Sequence, residues 1–544
     1  MKNTRFLKLA MLVLVCALSV CAFAGVIANA EEAAPTAEIT TANVAYNDMV
    51  QLAFTVTSAN LPDGAVVGIM TWEADAVEFT AENAAYSTYK ASEKDGVTYY
   101  KTAGIPAPEM DTAIYVAAVY KVGNDVTVAE TPFKYSVLQY AGTRLSETNV
   151  SAKQADVYEN LIKYGINSDA VFAGDENYAF VKTVNGTIGS AGAEIGGWMG
   201  KEVLLRAEAK NADGKYFIKW QNAEGETVSG ERLTYVTVTE AGIAEYTAVY
   251  GDKAASAYAS TYDFEALETG KLTTTPSGLS FSNNNGTNNQ FYITESLNGD
   301  KQLLIDRLVS GSKSYSAFYK LPTGNQITAF EYDYELVESV VGNTNVPNQV
   351  TFTMKDGDGT EQNVRLNYEF DLTNEKLCFY LESSKGSSDK TLRDEDGKIA
   401  YLDTLQGSTM TIRYALDLDN IKAIPVEVVT EYKQDAEGNY LDAEGNVTTD
   451  SANYVAVSTA TYTTYSCDLL VYVNGKFFAK ADLSICDNNY TNFNSAINTF
   501  DENGTPSFLL DKNCTITGNV GIGSLNSANK DIALDNIMYY DLID

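Results

Sequence analysis

Histidine is absent from all 544 residues of this sequence, and its absence excludes several kinds of functional site. Ser-His-Asp and Cys-His catalysis, histidine-ligated zinc and imidazole acid–base chemistry all need that side chain. Carboxylates remain as the candidate nucleophiles and acid–base groups. Calcium, which prefers oxygen ligands, remains as the candidate metal.

Cysteine and tryptophan are scarce, with six and three residues respectively. Two of the cysteines fall within the first thirty residues, and no pair has the C-x-x-C spacing of a zinc or redox site. Four cysteines of an exported chain can pair in three ways, and reduced thiols are equally compatible with the sequence. These four are Cys378, Cys467, Cys486 and Cys514.

Positive charge is also in short supply, because 38 lysines and arginines stand against 72 acidic residues, a net charge of −34. A surface of this kind repels nucleic acid and anionic lipid. The chain is nevertheless 45% hydrophobic and contains 36 tyrosines, which favours folding over disorder. We therefore expect a folded protein of three or four domains with no nucleic-acid partner.

Residues 1–30 have the pattern of an export signal. Lys2, Arg5 and Lys8 precede an apolar run over residues 9–27, and Ala-Asn-Ala at 28–30 supplies a small-x-small cleavage pattern. A membrane anchor is the alternative, but no stop-transfer charge cluster follows the apolar run. The sequence thus predicts a secreted protein, extracellular or loosely associated with the cell surface, without membrane insertion.

Residues 31–143 are expected to form an immunoglobulin-like β-sandwich. Val50, Leu52, Phe54 and Val56 alternate with polar or small residues, which is the period of a half-buried strand. The stretches AVVGIMTW, TAIYVAAVYKVGNDVTVAE and FKYSVLQY continue this pattern as further strands. Repeated short strands over such a length are typical of that sandwich.

One helix is predicted, within a connector over residues 144–177. In SAKQADVYENLIKYG, Ser151 can cap the helix and Gly165 is expected to end it. Together, YSVLQYAGTRLSE and YENLIKYGINSDAVF resemble a module common in exported proteins of gut clostridia. This resemblance implies no particular chemistry.

Residues 178–251 resemble a divergent internalin B-repeat, a small β-grasp-like module of surface proteins. The likeness rests on Gly214, Phe217, Trp220 and Gly225, and on the closing stretch YTAVY at 246–250. It covers about one repeat length. The resemblance implies a spacer or an adhesive unit.

Residues 252–260, rich in alanine and serine, are interpreted as a linker to a C-terminal domain over residues 261–544. In DLLVYVNGKFFAKADLS, Asn474-Gly475 lies between two alternating runs, which is the strongest short-range hairpin signal. The phrase resembles the LYVNGK hairpin of concanavalin A-like and laminin G-like jelly rolls. With YDFEALETG near the start and IALDNIMYYDL at the end, the resemblance spans the full length of such a domain.

The stretch AFEYDYELVES, residues 329–339, is the one catalytic-looking pattern, with Glu331, Asp333 and Glu335 at every second position. The other register is an unbroken apolar row, formed by Phe330, Tyr332, Tyr334 and Leu336. A half-solvated antiparallel strand explains this alternation completely. In that interpretation the three acids point into solvent.

The same triplet resembles the signature of laminarinase-type β-glucanases, which share the jelly-roll fold. The resemblance implies Glu331 as nucleophile, Asp333 as its helper and Glu335 as acid/base. Retaining chemistry needs two carboxyl groups about 5–5.5 Å apart, whereas Cα atoms four residues apart on a strand are roughly 13 Å apart. The family's Trp-Pro-Gly-type lead-in is missing, and the C-terminal domain has no tryptophan to stack a sugar ring. Catalysis is therefore kept as an alternative.

A structural calcium ion is the one cofactor considered, at the place where the ends of the C-terminal domain meet. In several carbohydrate-binding jelly rolls similar to this one, an acid after the opening aromatic residue and an acid in the closing strand share Ca²⁺. By position these ligands are Glu265 and Asp535, with Asp263 less favoured. The alternative is that the acids flank strand ends in solvent.

Three further acidic stretches are interpreted as turns. LRDEDGKIAYLD, which contains Asp394 and Asp396, has the wrong residue at the first ligand position of a calcium loop. KDGDGTEQ, around Asp356, lies between two strands and indicates a hairpin loop. DAEGNYLDAEGN, at 435–446, repeats a five-residue unit and indicates a surface hairpin.

The patterns together predict a mainly β protein with one short helix, built from the sandwich, the β-grasp-like repeat and the jelly roll. Three functions fit this organisation. The first is an exported, non-catalytic protein that binds a polysaccharide or cell-surface glycan through the jelly roll. The second is a retaining β-glucanase, and the third is a structural surface protein without a sugar site.

Overall fold

A computed structural model gives the architecture of the chain. It describes residues 34–46, 49–94, 97–172, 178–252, 258–262, 264–283, 291–295, 301–306, 315–320, 327–339, 345–371, 376–381, 392–398, 400, 402–403, 407–485, 493–524 and 530–540. The export signal predicted at 1–30 lies outside these residues. Among the helices that are described, none is long and apolar enough to cross a membrane.

The protein is mainly β, as the sequence predicts. Its contacts divide the chain into two compact units. The first unit comprises Met1–Thr143, Tyr158–Phe180 and Thr239–Gly242. The second comprises Arg144–Val157, Val181–Val238 and Ile243–Asp544. The β-grasp-like repeat and the C-terminal domain, which the sequence treats as separate modules, therefore fall largely within one unit.

Nine strands lie in the described part of residues 36–135. They are β1 (Thr36–Tyr46), β2 (Val50–Ala59), β3 (Val66–Trp72), β4 (Tyr86–Thr88), β5 (Ser92–Lys94), β6 (Val97–Lys101), β7 (Ile114–Val122), β8 (Asp125–Val128) and β9 (Phe133–Tyr135). One sheet has the order β1-β2-β6-β5, and the other has the order β4-β3-β7-β8, with β9 paired to β7. Phe54 of the first sheet meets Phe133 of the second edge-on, with ring centroids 6.4 Å apart. Alternating apolar residues thus build two facing sheets.

Two helices follow where the sequence predicts one. Helix α1 spans Val137–Leu145 and α2 spans Ala152–Phe172. The stretch FKYSVLQY is therefore a strand only as far as Tyr135, and the prediction of a longer strand is wrong. The reason is a cap: Ser136 Oγ accepts a hydrogen bond from the Gln139 backbone N–H at 3.0 Å and starts α1.

The predicted cap of α2 is confirmed, but its predicted end is not. The Ser151 N–H donates to Gln154 Oε1 at 2.9 Å, while Ser151 Oγ accepts from the Gln154 N–H at 3.4 Å, which is a reciprocal capping pattern. The helix then continues seven residues past Gly165. A Cβ at Gly165 would lie 2.7 Å from Leu138 Cδ2, so this glycine permits close packing of the helix and does not terminate it.

Residues 179–251 form eight strands. They are β10 (Ala179–Val184), β11 (Thr187–Ile188), β12 (Ile195–Gly196), β13 (Glu202–Arg206), β14 (Tyr216–Asn222), β15 (Thr227–Ser229), β16 (Leu233–Thr237) and β17 (Gly242–Gly251). The strand orders are β12-β10-β17-β14-β15 and β11-β13-β16. Trp220 is fully buried, and its indole N–H donates to the Arg232 carbonyl at 3.1 Å. We call residues 179–251 the repeat module.

The C-terminal strands begin at residue 258, within the stretch interpreted as a linker; residues 253–257 of that stretch lie outside the described residues. The strands are β18 (Tyr258–Tyr262), β19 (Gly270–Lys271), β20 (Leu279–Asn283), β21 (Phe291–Glu295), β22 (Lys301–Asp306), β23 (Tyr315–Lys320), β24 (Ala329–Ser339), β25 (Asn345–Lys355), β26 (Glu361–Asp371), β27 (Lys376–Leu381), β28 (Leu402–Asp403), β29 (Thr409–Leu416), β30 (Lys422–Tyr432), β31 (Ala456–Ser466), β32 (Asp468–Val473), β33 (Lys476–Asp482), β34 (Thr515–Ser524) and β35 (Lys530–Tyr540). A short helix, α3, spans Phe493–Ile497.

These strands form a two-sheet sandwich. The nine-stranded sheet has the order β19-β21-β22-β35-β24-β29-β32-β33, with β18 paired to β35, and the seven-stranded sheet has the order β20-β23-β34-β25-β26-β27-β28. One continuous core joins them, in which Phe330 of the first sheet and Phe352 of the second meet with ring centroids 5.5 Å apart. The first and last strands, β18 and β35, lie side by side, as expected.

Two hairpins of the C-terminal region, β32–β33 and β30–β31, differ in how they pair. Asn474 and Gly475, with φ of 51° and 79°, connect β32 to β33, which confirms the predicted tight turn. Strands β30 and β31 pair only with each other among the described strands, and together form a two-stranded arm.

Candidate functional site

Strand β24, which carries the Glu-x-Asp-x-Glu pattern, lies in the middle of the nine-stranded sheet between β29 and β35. Its apolar row faces the core of the sandwich, as predicted, and Phe330, Tyr332 and Tyr334 have no exposed surface. The alternation of the sequence therefore places the acids on the outer face of this sheet.

That outer face is not in solvent, so the prediction of solvated acids is wrong. Glu331 is 0% exposed and Asp333 is 4% exposed, while Glu335 is half-buried. The repeat module covers the face and brings Arg206 and Arg232 to it. A small apolar contact, formed by Ala209 of the module with Ala329, Ala415 and Met538 of the sheet, lies within the same interface.

Glu331 is held by two arginines, one on each carboxylate oxygen. Arg232 Nε donates to Oε1 at 2.8 Å, and Arg413 Nε donates to Oε2 at 2.9 Å. Arg413 comes from the neighbouring strand β29, whereas Arg232 comes from the repeat module. Both oxygens of this carboxylate are therefore engaged by cations.

Asp333 has a denser set of partners. Arg232 Nη2 donates to Asp333 Oδ1 at 3.0 Å, and Arg206 Nη1 reaches the same oxygen at 3.4 Å. Thr411 Oγ1 also donates to Oδ1, and Asn536 Nδ2 donates to Oδ2 at 2.9 Å. Because Arg232 bridges Glu331 and Asp333, the two acids form one ionic cluster with the module.

Local signals for the two module arginines exist in the sequence. Arg206 ends the apolar run Val-Leu-Leu at 203–205, and Arg232 directly precedes Leu233 at the start of β16. An arginine within buried, apolar strand sequence indicates a paired internal charge, because unpaired charges are almost never fully buried. The pairing partner could not be read from these positions.

Asn536 joins three carboxylates on the same face. Its Nδ2 donates to Glu208 Oε2, to Asp333 Oδ2 at 2.9 Å and to Asp535 Oδ2 at 3.1 Å. Its own carbonyl oxygen accepts the Ala209 backbone N–H at 2.9 Å, which fixes the orientation of the amide. The amide nitrogen of Asn536 carries only two hydrogens, so it cannot donate a full hydrogen bond to all three carboxylates at once.

The electrostatics of the acids follow from these contacts. Burial alone would raise the pKa of Glu331, but Arg413 and Arg232 outweigh burial and hold the pKa below its ordinary value. The pKa of Asp333 is likewise lowered, because Arg232 and Arg206 outweigh burial. Burial and the charge of Asp333 raise the pKa of Glu208, and burial raises the pKa of Glu335.

A lowered pKa at Glu331 beside a raised pKa at Glu335 resembles the division of roles in a retaining glycosidase. The geometry does not support that use. A nucleophile must reach the anomeric carbon, whereas Glu331 has no exposed surface and both of its oxygens accept from guanidinium groups. The pKa pattern here is the consequence of burial and ion pairing.

The residues expected to bind calcium have other partners in this structure. Glu265 Oε1 accepts the Lys301 backbone N–H at 2.6 Å, and Lys301 Nζ donates to the carbonyls of Glu265 and Leu267 at 3.0 and 2.7 Å. A lysine ammonium therefore lies beside Glu265. Asp535 belongs to the Asn536 cluster, and Asp263 lies outside the described residues. Within those residues no group of three or more His, Cys, Asp or Glu is arranged to hold a metal.

The three acidic stretches form turns, as predicted, and loops at 211–215, 222–226 and 501–505 are turns of the same kind. In each, the side-chain oxygen of the first residue accepts the N–H of the fifth at 2.7–3.0 Å, and the fourth is a glycine with positive φ. Their first and fifth residues are Asn211 and Lys215, Asn222 and Glu226, Asp356 and Thr360, Asp394 and Lys398, Asp435 and Asn439, Asp442 and Asn446, and Asp501 and Thr505. The side chain of the first residue in each turn therefore closes that turn. This use of Asp and Gly at a fixed spacing explains why such a stretch resembles a calcium loop.

Of the four cysteines that follow the predicted export signal, two have side chains among the described residues. Cys467 and Cys514 are buried free thiols of the sandwich core. Burial raises the pKa of Cys514 to about 12, so this thiol is not reactive at neutral pH. Cys486 and the side chain of Cys378 lie outside the described residues.

An open cleft of about 350 Å³ lies at the end of the β32–β33 hairpin. Its lining residues are Asp394, Glu395, Asp396, Phe477 and Phe478. The Asp394 turn is tied to β33 by two backbone hydrogen bonds between Arg393 and Lys480, of 3.3 and 3.0 Å. A bulge at this end of β33 sets both phenylalanines opposite Tyr472. The cleft combines aromatic surface with exposed carboxylates.

No protein-family description and no curated protein matches this chain. Three of the solved structures similar to it are a carbohydrate-binding module, CBM66 from Bacillus subtilis, the potassium-bound carbohydrate recognition domain of Emp46p, and the exoplasmic/lumenal domain of VIP36 bound to Ca²⁺ and Man3GlcNAc. Their sequence identities to this chain are 9%, 8% and 7%, and their TM-scores are 0.21, 0.24 and 0.19. The alignments cover 48%, 50% and 49% of this chain and 95%, 95% and 85% of the others. Similarities at this level identify no ligand for this chain.

Proposed function

We propose that this chain is an exported, non-catalytic glycan-binding protein of a cell surface, and that its C-terminal sandwich is the binding module. The observation that carries the non-catalytic part is the bridge made by Arg232 between Glu331 and Asp333. It joins the only glycosidase-like carboxylates of the sequence to the repeat module. The alternative of a retaining β-glucanase would need that same face to be open to a polysaccharide.

The cleft beside Phe477 supports the glycan-binding part. Sugar rings present apolar C–H faces to aromatic side chains and hydroxyl groups to carboxylates. Phe477 and Phe478 supply the aromatic surface, and Glu395 and Asp396 are exposed at the rim.

The remaining parts of the chain have supporting roles in this proposal. We assign the first unit the role of a stalk, as expected for an exported surface protein of the gut clostridia type. The repeat module is an integral cover of the sandwich, since its arginines neutralise the buried acids of β24. The proposed function needs no calcium ion, because Lys301 already supplies a cation near Glu265.

A glycan array probed with residues 31–544 tests the proposal. We expect retention on one or more neutral polysaccharides and at least a tenfold loss of that retention in Phe477→Ala. The matched control is Tyr216→Ala, which removes a half-buried aromatic ring of the repeat module. That control should bind as the wild type does.

The same preparations should release no reducing sugar from mixed-linkage β-glucan. Release that disappears in Glu335→Gln would favour the glucanase. Absence of binding to every glycan by a folded wild type would favour the third function, a structural surface protein. Equal losses in Phe477→Ala and Tyr216→Ala would place the sugar site elsewhere.

A further inference from the structure

The arm formed by β30 and β31 ends in a small folded tip, residues 431–455. Backbone hydrogen bonds join Lys433 to Val455 at 2.8 Å, Leu441 to Lys433 at 3.0 Å and Val455 to Leu441 at 3.3 Å. The two five-residue turns, 435–439 and 442–446, close this structure. Residues 456–459, where the arm leaves the tip, are exposed.

Three tyrosines form one aromatic surface on the tip. Tyr440 and Tyr454 are stacked, with ring centroids 4.2 Å apart and an interplanar angle of 22°. Tyr432 stands nearly perpendicular to both, at 6.1 and 5.5 Å. Tyr432 and Tyr440 remain 37% and 36% exposed, so ring surface is open to a partner.

The tip is strongly acidic. Residues 431–455 contain six carboxylates, at 431, 435, 437, 442, 444 and 450, against a single lysine, Lys433. A hydrogen bond from the Asn439 side chain lowers the pKa of Asp435, and one from the Asn446 backbone lowers the pKa of Asp442. Both carboxylates therefore stay ionised in mildly acidic surroundings.

The carboxylates of Asp435 and Asp442 are engaged in hydrogen bonds within their own turns. Asp435 Oδ1 accepts two backbone N–H groups of its turn, and its Oδ2 accepts the Asn439 side chain at 3.0 Å. Asp442 makes the corresponding bonds to Asn446 at 2.7 and 3.3 Å. They offer charge to a ligand, but few free lone pairs for the hydroxyl groups of a neutral sugar.

We propose that the arm tip is a docking surface for a cationic polypeptide segment rich in lysine and arginine. The tyrosine faces attract ammonium and guanidinium groups through their ring quadrupoles. The surrounding carboxylates concentrate such a segment and neutralise its charge. This surface is separate from the Phe477 cleft, so the two binding activities can fail independently.

Fluorescence anisotropy of labelled octa-lysine and octa-arginine with residues 31–544 tests the proposal, with octa-glutamate as the negative probe. We expect binding of both basic peptides at 50 mM NaCl and a fall of about tenfold at 300 mM NaCl, because exposed charges are screened. Replacing Tyr440 and Tyr454 by leucine keeps apolar volume but removes the aromatic faces. It should weaken octa-arginine binding by about threefold to tenfold.

The charge contribution is tested with Glu437→Gln combined with Glu444→Gln. These glutamates are the third residues of their turns, and neither carboxylate closes the turn. The matched control, Glu224→Gln with Asp358→Asn, changes the same position in two turns elsewhere. We expect about fivefold weaker octa-lysine binding in the tip variant and no change in the control. Failure of the basic peptides to bind, or equal losses in tip and control variants, would overturn the proposal, as would a neutral glycan bound in their place.

Discussion

Arg232 Nε lies 2.8 Å from Glu331 Oε1, although 99 residues separate the two in the chain. Their side chains are 1% and 0% exposed. A buried ion pair persists only when its remaining hydrogen bonds are satisfied, since desolvation otherwise exceeds the Coulombic attraction. Arg413 on Glu331 and the carbonyl of Ala207 on Arg232 supply those bonds. Through these ion pairs, the acids of β24 connect the repeat module to the sandwich.

Glu208→Gln should make the stability of the protein less dependent on pH. The folded state raises the pKa of Glu208 above 4.5, through burial first and then through Asp333. The folded state thus binds this proton more tightly than the unfolded state does. The wild type consequently loses stability as pH rises from about 4.5 through the raised pKa. Glutamine carries no such proton, so across that pH range the unfolding free energy of the variant should rise relative to the wild type by at most about 1.4 kcal/mol per pH unit.

Urea denaturation at pH 5 and pH 8 measures this effect. The difference in unfolding free energy between Glu208→Gln and wild type should be larger at pH 8. Glu224→Gln, an exposed position of the same module, serves as the control and should show no such change. A difference that is the same at both pH values would contradict a raised pKa of Glu208 in the folded state.

Gly165→Ala should destabilise the protein, although alanine is the better helix former by about 1 kcal/mol. The new Cβ would lie 2.7 Å from Leu138 Cδ2, and Leu138 is fully buried. Overpacking of this kind costs about 1–3 kcal/mol, which exceeds the gain in helix propensity. Thermal melts compare the variant with Gly230→Ala, where a Cβ meets no atom within 4 Å. A higher melting temperature for Gly165→Ala would contradict the packing explanation.

Calcium should not change the thermal midpoint of residues 31–544. Lys301 Nζ already binds the carbonyls of Glu265 and Leu267, and an added divalent ion would be repelled by that ammonium group. Melts with 2 mM CaCl₂ and with chelator should coincide. A calcium-dependent increase that is lost in Asp535→Asn would restore the calcium site expected from the sequence.

Local sequence predicts much of this fold. The alternation in β24 correctly places Phe330, Tyr332 and Tyr334 in the core, and Asn474-Gly475 correctly marks a tight hairpin. Both features depend on the period-2 geometry of a strand and on the dihedral preferences of two adjacent residues. The longer helix past Gly165 was not predictable, because it depends on a glycine packing against a residue 27 positions away.

The environment of the acids could not be predicted for a similar reason. A carboxylate on the polar side of a strand has the same local pattern whether water or another module covers it. What decides the outcome is the contact with Arg206 and Arg232, which lie 127 and 101 residues before Asp333. Only the position of these arginines beside apolar strand residues indicated that some buried acid would pair with them.

A double-mutant cycle between Arg232 and Glu331 tests the structural role of the acid row most directly. Urea unfolding of wild type, Arg232→Met, Glu331→Gln and the double variant is followed by tryptophan fluorescence, with Glu202→Gln of the exposed Lys476–Glu202 pair as control. Each single replacement in the buried pair should cost about 3–5 kcal/mol, with a coupling energy above about 1 kcal/mol. The control should lose less than about 1 kcal/mol. A loss below about 0.5 kcal/mol for Glu331→Gln, with no coupling to Arg232, is the behaviour of a solvated carboxylate and would contradict the account.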